Sequence, residues 1–206
     1  MWYCINAIVN LVALHPVWAL GAVFLAAIIE AVAVLGILIP GTPILMAVAG
    51  AAAMAGQPML PFLILSIIGA VMGDFLSFWV GRRFSLRLRC VWPFSRRPAL
   101  MESAEDFFDR YGVYSVALCR FVPVLRSTVP LIAGMAGMQQ RRFIVANVAS
   151  AFIWAPVHIY PAQIAGLSLD RLREGDWQTG AVWAMILLLG CAAGWAVHRA
   201  VIIRSR

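Results

Sequence analysis

Two arginines six residues apart, Arg120 and Arg126, lie in the run CRFVPVLRSTVP, which is otherwise apolar and is broken by Pro123 and Pro130. An arginine at the centre of a lipid-spanning helix costs about 2.5 to 3.5 kcal/mol on insertion scales, so such a pair calls for a ligand or a partner. Each proline frees backbone carbonyls that hydrocarbon cannot satisfy and that only protein or a water-filled cavity can. A guanidinium beside a broken helix is suited to a phosphate or a carboxylate. Two acids stand out for the same reason. Glu30 is the sole charge in the first 73 residues, and Asp74 directly follows Gly73, four residues after Gly69. The arginines are read as substrate-binding groups, with a structural ion pair to Glu30 or Asp74 as the alternative. For Glu30, two readings stay open: carriage of a coupling proton, since burial disfavours the charged carboxylate, and permanent structural pairing. Asp74 reads first as a local partner of Arg82 or Arg83, and second as a gating residue.

The elements that must position these residues follow from composition and breaks. The chain has 206 residues, 63% hydrophobic and 12% charged, with a mean hydropathy of +0.90. Such values belong to integral membrane proteins. The expectation is an all-α integral membrane protein forming a single domain, with two oppositely oriented re-entrant helical hairpins, each followed by a spanning helix, and a C-terminal spanning helix. Residues 1–15 read as an interfacial helix. Residues 17–56 read as the first hairpin: a helix over 17–39, a break at Pro40, Gly41, Thr42 and Pro43, and a return too short to span. Residues 62–80 read as a spanning helix whose Gly69 and Gly73 form a close-packing face. Residues 86–109 read as a cytoplasmic amphipathic segment. Residues 112–140 read as the second hairpin, broken at Pro123 and Pro130 and entering from the opposite face. Residues 143–166 span again, kinked near Pro156 and Pro161, with Asn147 and His158 inside, and residues 180–197 form the last span, with Trp183 and Trp195 near its ends. Opposed broken hairpins in corresponding halves are the pattern of secondary transporters, whose sites lie at the midplane between the repeats.

The net charge of +7 comes from sixteen arginines, with no lysine, against nine acids. It is clustered rather than spread as on a nucleic-acid-binding face, and no nucleic-acid partner is expected. Arg82, Arg83, Arg87, Arg89, Arg96 and Arg97 place their loop in the cytoplasm by the positive-inside rule; Arg141 with Arg142, and Arg199, Arg204 and Arg206, mark two more cytoplasmic points. The C-terminus is thus expected in the cytoplasm. Cys4, Cys90, Cys119 and Cys191 are scattered without metal-ligand or disulfide spacing, and the three histidines lack it too, so no metal or cofactor is expected. The amino end lacks a positive region, and no removable signal peptide is read. His158 reads as a packing residue. No histidine nucleophile is paired with a Ser-Gly-His segment and basic residues, so no enzyme is expected.

Glu30, Pro40-Gly41, Gly73-Asp74 with Phe78, Gly81 and Arg82, Arg120-Phe121-Val122-Pro123 with Arg126, Pro130, Ala133-Gly134, Met138, Phe143 and Asn147 together resemble the DedA family over residues 17–166. The RFxPxxR segment with its downstream PxxAG is the specific part. The resemblance implies two opposed re-entrant hairpins and kinship with the VTT-domain lipid scramblases. It further implies a bacterial inner-membrane location and movement of undecaprenyl phosphate or phospholipids, in some members driven by the proton motive force. The family's intramembrane acid and arginines carry over to Glu30, Arg120 and Arg126. Thr42 stands where members usually have an acid after Pro-Gly, which leaves Glu30 and Asp74 as the candidates for coupling or gating. Phe78 replaces a usual tyrosine. The leading expectation is therefore a flippase- or scramblase-like translocase of a phosphorylated lipid, with protons as a second partner and a homo-oligomer compatible with it. The alternatives are a proton-coupled carrier of a small anion and a membrane organiser that transports nothing.

Overall fold

A computed structural model describes residues 2–33, 35–39, 41–88, 98–173, 175–176, 178, 181–182 and 185. Pro40, the segment 89–97 with Arg89, Arg96 and Arg97, most of the expected span 180–197, and the C-terminal arginines lie outside the described residues. Among the described residues the fold is helical throughout, with no strand.

Helix α1 (Trp2–Leu14) meets α2 (Pro16–Ala31) at His15, and the axes of 7–14 and α2 are bent by 106° there. Proline at the first position of α2 is compatible with a helix start, where its missing N–H is no loss. The sequence expected one helix over 17–39, but α2 stops at Ala31 and Val32 is extended (φ −77, ψ 126). A tertiary contact accounts for the early end. Ser77 Oγ accepts the Ala33 N–H at 3.0 Å and lies 3.2 Å from the Ala31 carbonyl and 3.1 Å from the Gly73 carbonyl, so a neighbouring helix supplies partners for the interrupted backbone. One turn, α3 (Leu35–Leu38), leads to α4 (Gly41–Met54). At 14 residues, α4 is about 21 Å long and short of a full bilayer crossing.

After Gly56, which takes φ +68 in the connecting turn, comes α5 (Met59–Leu88). Its part Met59–Phe84 is long and apolar enough to cross a membrane, and Phe84 leaves helical geometry at its end. Helix α6 (Pro98–Tyr111) is followed by a break at Gly112, φ +52. The chain then shortens its pieces: α7 (Val113–Leu118), a 3-10 turn (Cys119–Phe121), α8 (Pro123–Arg126) and α9 (Thr128–Met135). Val122 is extended at φ −113, ψ 106, the conformation imposed on a residue preceding proline. Finally α10 (Gln140–Arg173) runs through Pro156 and Pro161, and Gln140–Leu172 is the second stretch able to span. A third exists if the bent pair of α1 and α2 counts as one. The expected spans 62–80 and 143–166 fall inside α5 and α10.

The two long helices act as a frame for the broken segments. Helix α2 packs on α5, α4 on α10, α9 on α5 and α7 on α10. The first crossing is as close as the sequence expected: a Cβ on Gly73 would lie 2.6 Å from Ala31 Cβ, and one on Gly69 would lie 2.7 Å from the Phe24 carbonyl. The α5–α9 crossing is closer still, for a Cβ on Gly134 would lie 2.1 Å from the Phe78 carbonyl. One apolar cluster, with Val23, Leu45, Phe62, Trp154 and Ile159, fills the α2–α4 side. A second, with Phe78, Val116, Ala133 and Phe143, fills the α7–α9 side, where the Phe78 and Phe143 rings stack at 4.2 Å. Between the clusters the interrupted ends of both broken segments meet.

Candidate functional site

At that meeting point four charges are gathered. Arg126 ends α8 and Arg120 sits on the 3-10 turn, so the Val122–Pro123 interruption separates them and turns them toward different partners. Arg126 Nη1 donates to Glu30 Oε1 at 2.7 Å. Thr42 Oγ1 donates to the same oxygen. The Arg126 guanidinium also lies over the Trp154 ring, 4.1 Å from its centroid, a favourable cation–π position. Arg120 Nη2 donates to Asp74 Oδ2 and to Asn147 Oδ1. Asn147 in turn donates through Nδ2 to the Val71 carbonyl at 3.1 Å, which ties α10 to α5 and fixes its amide.

The array is withdrawn from the surface: Asp74, Arg120 and Arg126 are 2%, 3% and 4% exposed. Two cations face two anions, so it is neutral as a whole. Its hydrogen bonding is nonetheless incomplete. Arg120 Nε and Nη1, Arg126 Nε and Nη2, Glu30 Oε2, Asp74 Oδ1, Ser127 Oγ and Trp154 Nε1 are buried without a protein partner. Buried polar groups in folded proteins nearly always have one, and the donors here outnumber the acceptors. Such a set suits an oxyanion.

Each site residue expected from the sequence and described here falls in this array or beside it. Glu30, Thr42 and Arg126 form one group, and Asp74 and Arg120 the other. Gly41 lets the start of α4 close on Glu30, since a Cβ there would lie 2.8 Å from Glu30 Cβ. Pro123 opens α8 at the extended Val122, a break as expected, whereas Pro130 marks no break: it is buried in the first turn of α9, where a missing N–H interrupts no helical hydrogen bond. The expected local pairing of Asp74 with Arg82 or Arg83 is not what forms. Those two arginines are exposed, whereas the 3-10 turn carries Arg120 to the Asp74 carboxylate. His158 is a packing residue, its Nδ1 2.8 Å from the Trp154 carbonyl and its ring 4.7 Å from the indole. Sequence reasoning gave no role to Trp154, Ser77 or Ser127, and none to Asn147 beyond its part in the resemblance. A signal for Asn147 and Trp154 existed: positions 147, 151, 154 and 158 recur at helical spacing and share one face of α10.

Residues 39–164 match the family model of the VTT domain. The chain is 34% identical over 169 residues to the inner membrane protein YabI of Escherichia coli (strain K12), covering 79% of this chain and 65% of YabI. It is 32% identical over 162 residues to Protein DedA of the same strain, covering 76% and 73%, and 32% identical over 145 residues to an uncharacterized membrane protein of Mycobacterium tuberculosis, covering 68% and 63%. The chain thus spans about two thirds of the length of these relatives. No solved structure matches it. Thr42, Asp74, Arg120, Arg126, Asn147 and Trp154 lie inside the matched domain and Glu30 just ahead of it. A helical fold with two long apolar helices, a matching VTT domain and YabI and DedA as relatives lead to one conclusion: the chain belongs to the DedA family of membrane proteins.

Proposed function

We propose that this protein moves a lipid with a phosphorylated headgroup, such as undecaprenyl phosphate or a phospholipid, across the bacterial inner membrane. In this reading the segments α2–α4 and α7–α9 are re-entrant hairpins that enter from opposite faces and meet at the bilayer midplane. The observation that carries the reading is the pair of buried arginines, each keeping two nitrogens without a partner where the broken segments meet. A phosphate oxygen takes the place of Glu30 on Arg126 and draws on the free donors of Arg120, while Trp154 holds the Arg126 guanidinium in place through the exchange. Glu30, released from Arg126, is the group that takes up a proton, with Thr42 keeping it oriented. The name of YabI, an inner membrane protein, supports the location.

The test is translocation in liposomes containing the purified chain, read separately for a polyprenyl phosphate and for phospholipids, with and without a proton gradient. Arg126→Ala is expected to lower headgroup translocation at least tenfold at equal protein insertion. Equal rates for wild type and variant overturn the proposal, and uptake of a soluble anion with no lipid movement replaces it with an anion carrier. A second reading draws on the one-to-one match of arginines with acids, which is also what a purely structural clamp requires. In that case the arginine-rich segment of residues 82–97 docks partners, and neutralising it abolishes function while Arg126→Ala with Glu30→Ala leaves function intact.

A further inference from the structure

Away from the buried array, an open cavity of about 710 Å³ lies between α7 and the first turns of α10. It is lined by Arg141 and Arg142, both exposed, by the half-buried Val113, Ala117 and Ala146, and by the exposed Val145 and Ala149. No acid lines it, and neither arginine forms an ion pair among the described residues. Tyr114, also lining the cavity, is 76% exposed. An exposed tyrosine beside basic residues at the end of a spanning helix marks the headgroup level of a bilayer. Positions 141, 142, 145, 149, 152 and 153 share one face of α10, and Phe152 and Ile153 continue that face as exposed apolar side chains. From Arg142 to Ala149 the helix rises about 10 Å. Within that distance the lining changes from two guanidinium groups to bare hydrocarbon and then opens onto the lipid-facing surface.

We propose that this groove is a binding site for an anionic glycerophospholipid, whose phosphate is held by Arg141 and Arg142 and whose upper acyl chain lies along Val145 and Ala149. The gradient from charge to hydrocarbon along a single helix face matches a lipid standing in one leaflet. The cations select for negative charge, and the groove selects for a tail. The site is separate from the Arg120–Arg126 array and does not depend on translocation.

The test uses the full chain in detergent, with phosphatidylglycerol and phosphatidylcholine as probes and bound lipid counted by native mass spectrometry. Phosphatidylglycerol is expected to be retained in preference to phosphatidylcholine. Arg141→Gln with Arg142→Gln should weaken its retention roughly tenfold or more, as expected for two surface arginines acting on an anionic lipid. Arg82→Gln with Arg83→Gln removes the same charge from another exposed pair and should leave retention unchanged. Ala117→Phe, which fills the groove, should reduce retention with the arginines intact. The proposal is overturned by equal retention of the two lipids, by an equal loss in the Arg82 and Arg83 variant, or by full displacement with millimolar inorganic phosphate, which would make the site one for a free anion. Retention that follows these expectations in a chain that translocates nothing leaves this site standing and removes only the transport reading.

Discussion

Arg120 is held by two oxygens at once, from Asp74 on α5 and Asn147 on α10, and it is buried with them. Removing one partner of a buried pair leaves an uncompensated charge, which typically costs about 3 to 5 kcal/mol. Asp74→Ala is therefore expected to destabilise the protein by that amount in thermal unfolding in detergent. Adding Arg120→Met to it should recover much of the loss, because replacing both charges by apolar groups removes the orphan. Recovery in the double variant marks the pair as a unit; no recovery would show that Arg120 is held mainly by Asn147. Thr42 contributes on a smaller scale. Its hydroxyl shares Glu30 Oε1 with Arg126, so Thr42→Val should cost about 1 kcal/mol and leave the ion pair in place. In the translocation assay its effect should be on the dependence on a proton gradient more than on lipid movement itself.

At the scale of elements, the broken segments hold their places because glycines let backbones touch. Helices α5 and α9 meet at Gly81 and Gly134, where an added Cβ would lie 2.1 Å from the Leu131 and Phe78 carbonyls respectively. Neither carbonyl can move without its helix. Gly134→Ala should push α9 off α5, cost about 1 to 3 kcal/mol as overpacking does, and shift Arg120 and Arg126 from their acids. Gly21→Ala is the matched control: it lies within α2 with open space around it, and alanine there should raise stability by roughly 0.5 to 1 kcal/mol. A common outcome for both variants in unfolding would refute the tight crossing. Ser77 has a comparable role at the end of α2, where its hydroxyl serves backbone groups of residues 31 and 33.

For the whole molecule, α5 and α10 frame two interrupted segments, and the positive-inside rule predicts that the ends carrying Arg82, Arg83, Arg141 and Arg142 face the cytoplasm. If the segments are re-entrant from opposite sides, their flanks must lie on opposite sides too. In a chain with its native cysteines replaced, Gln57→Cys is expected to react with an impermeant thiol reagent from the outer face and Gln139→Cys from the cytoplasmic face only. Labelling of both positions from one side would require a different topology, and with it a different account of how the tips meet.

Much of the molecule was legible in the chain itself. The long apolar stretches marked α5 and α10, because hydrocarbon admits only backbone that satisfies its own hydrogen bonds. Two arginines and two acids in apolar surroundings marked the residues that gather in the buried array, because their burial has a cost that chance does not supply. Gly69 and Gly73 marked a close crossing. What the chain alone left open were partners. Asp74 could pair with Arg82 or with Arg120, and only the 3-10 turn after α7 decides it. Likewise α2 carries no proline or glycine at Val32, so its early end came from Ser77 on another helix, 44 residues away from the amide it accepts. Helical spacing could place Trp154 on one face of α10, but its seat beneath Arg126 came from packing. Hydropathy and breaks are local quantities, whereas a salt bridge, a cap or a ring under a guanidinium is a distance between elements, and such distances exist only after the helices have packed.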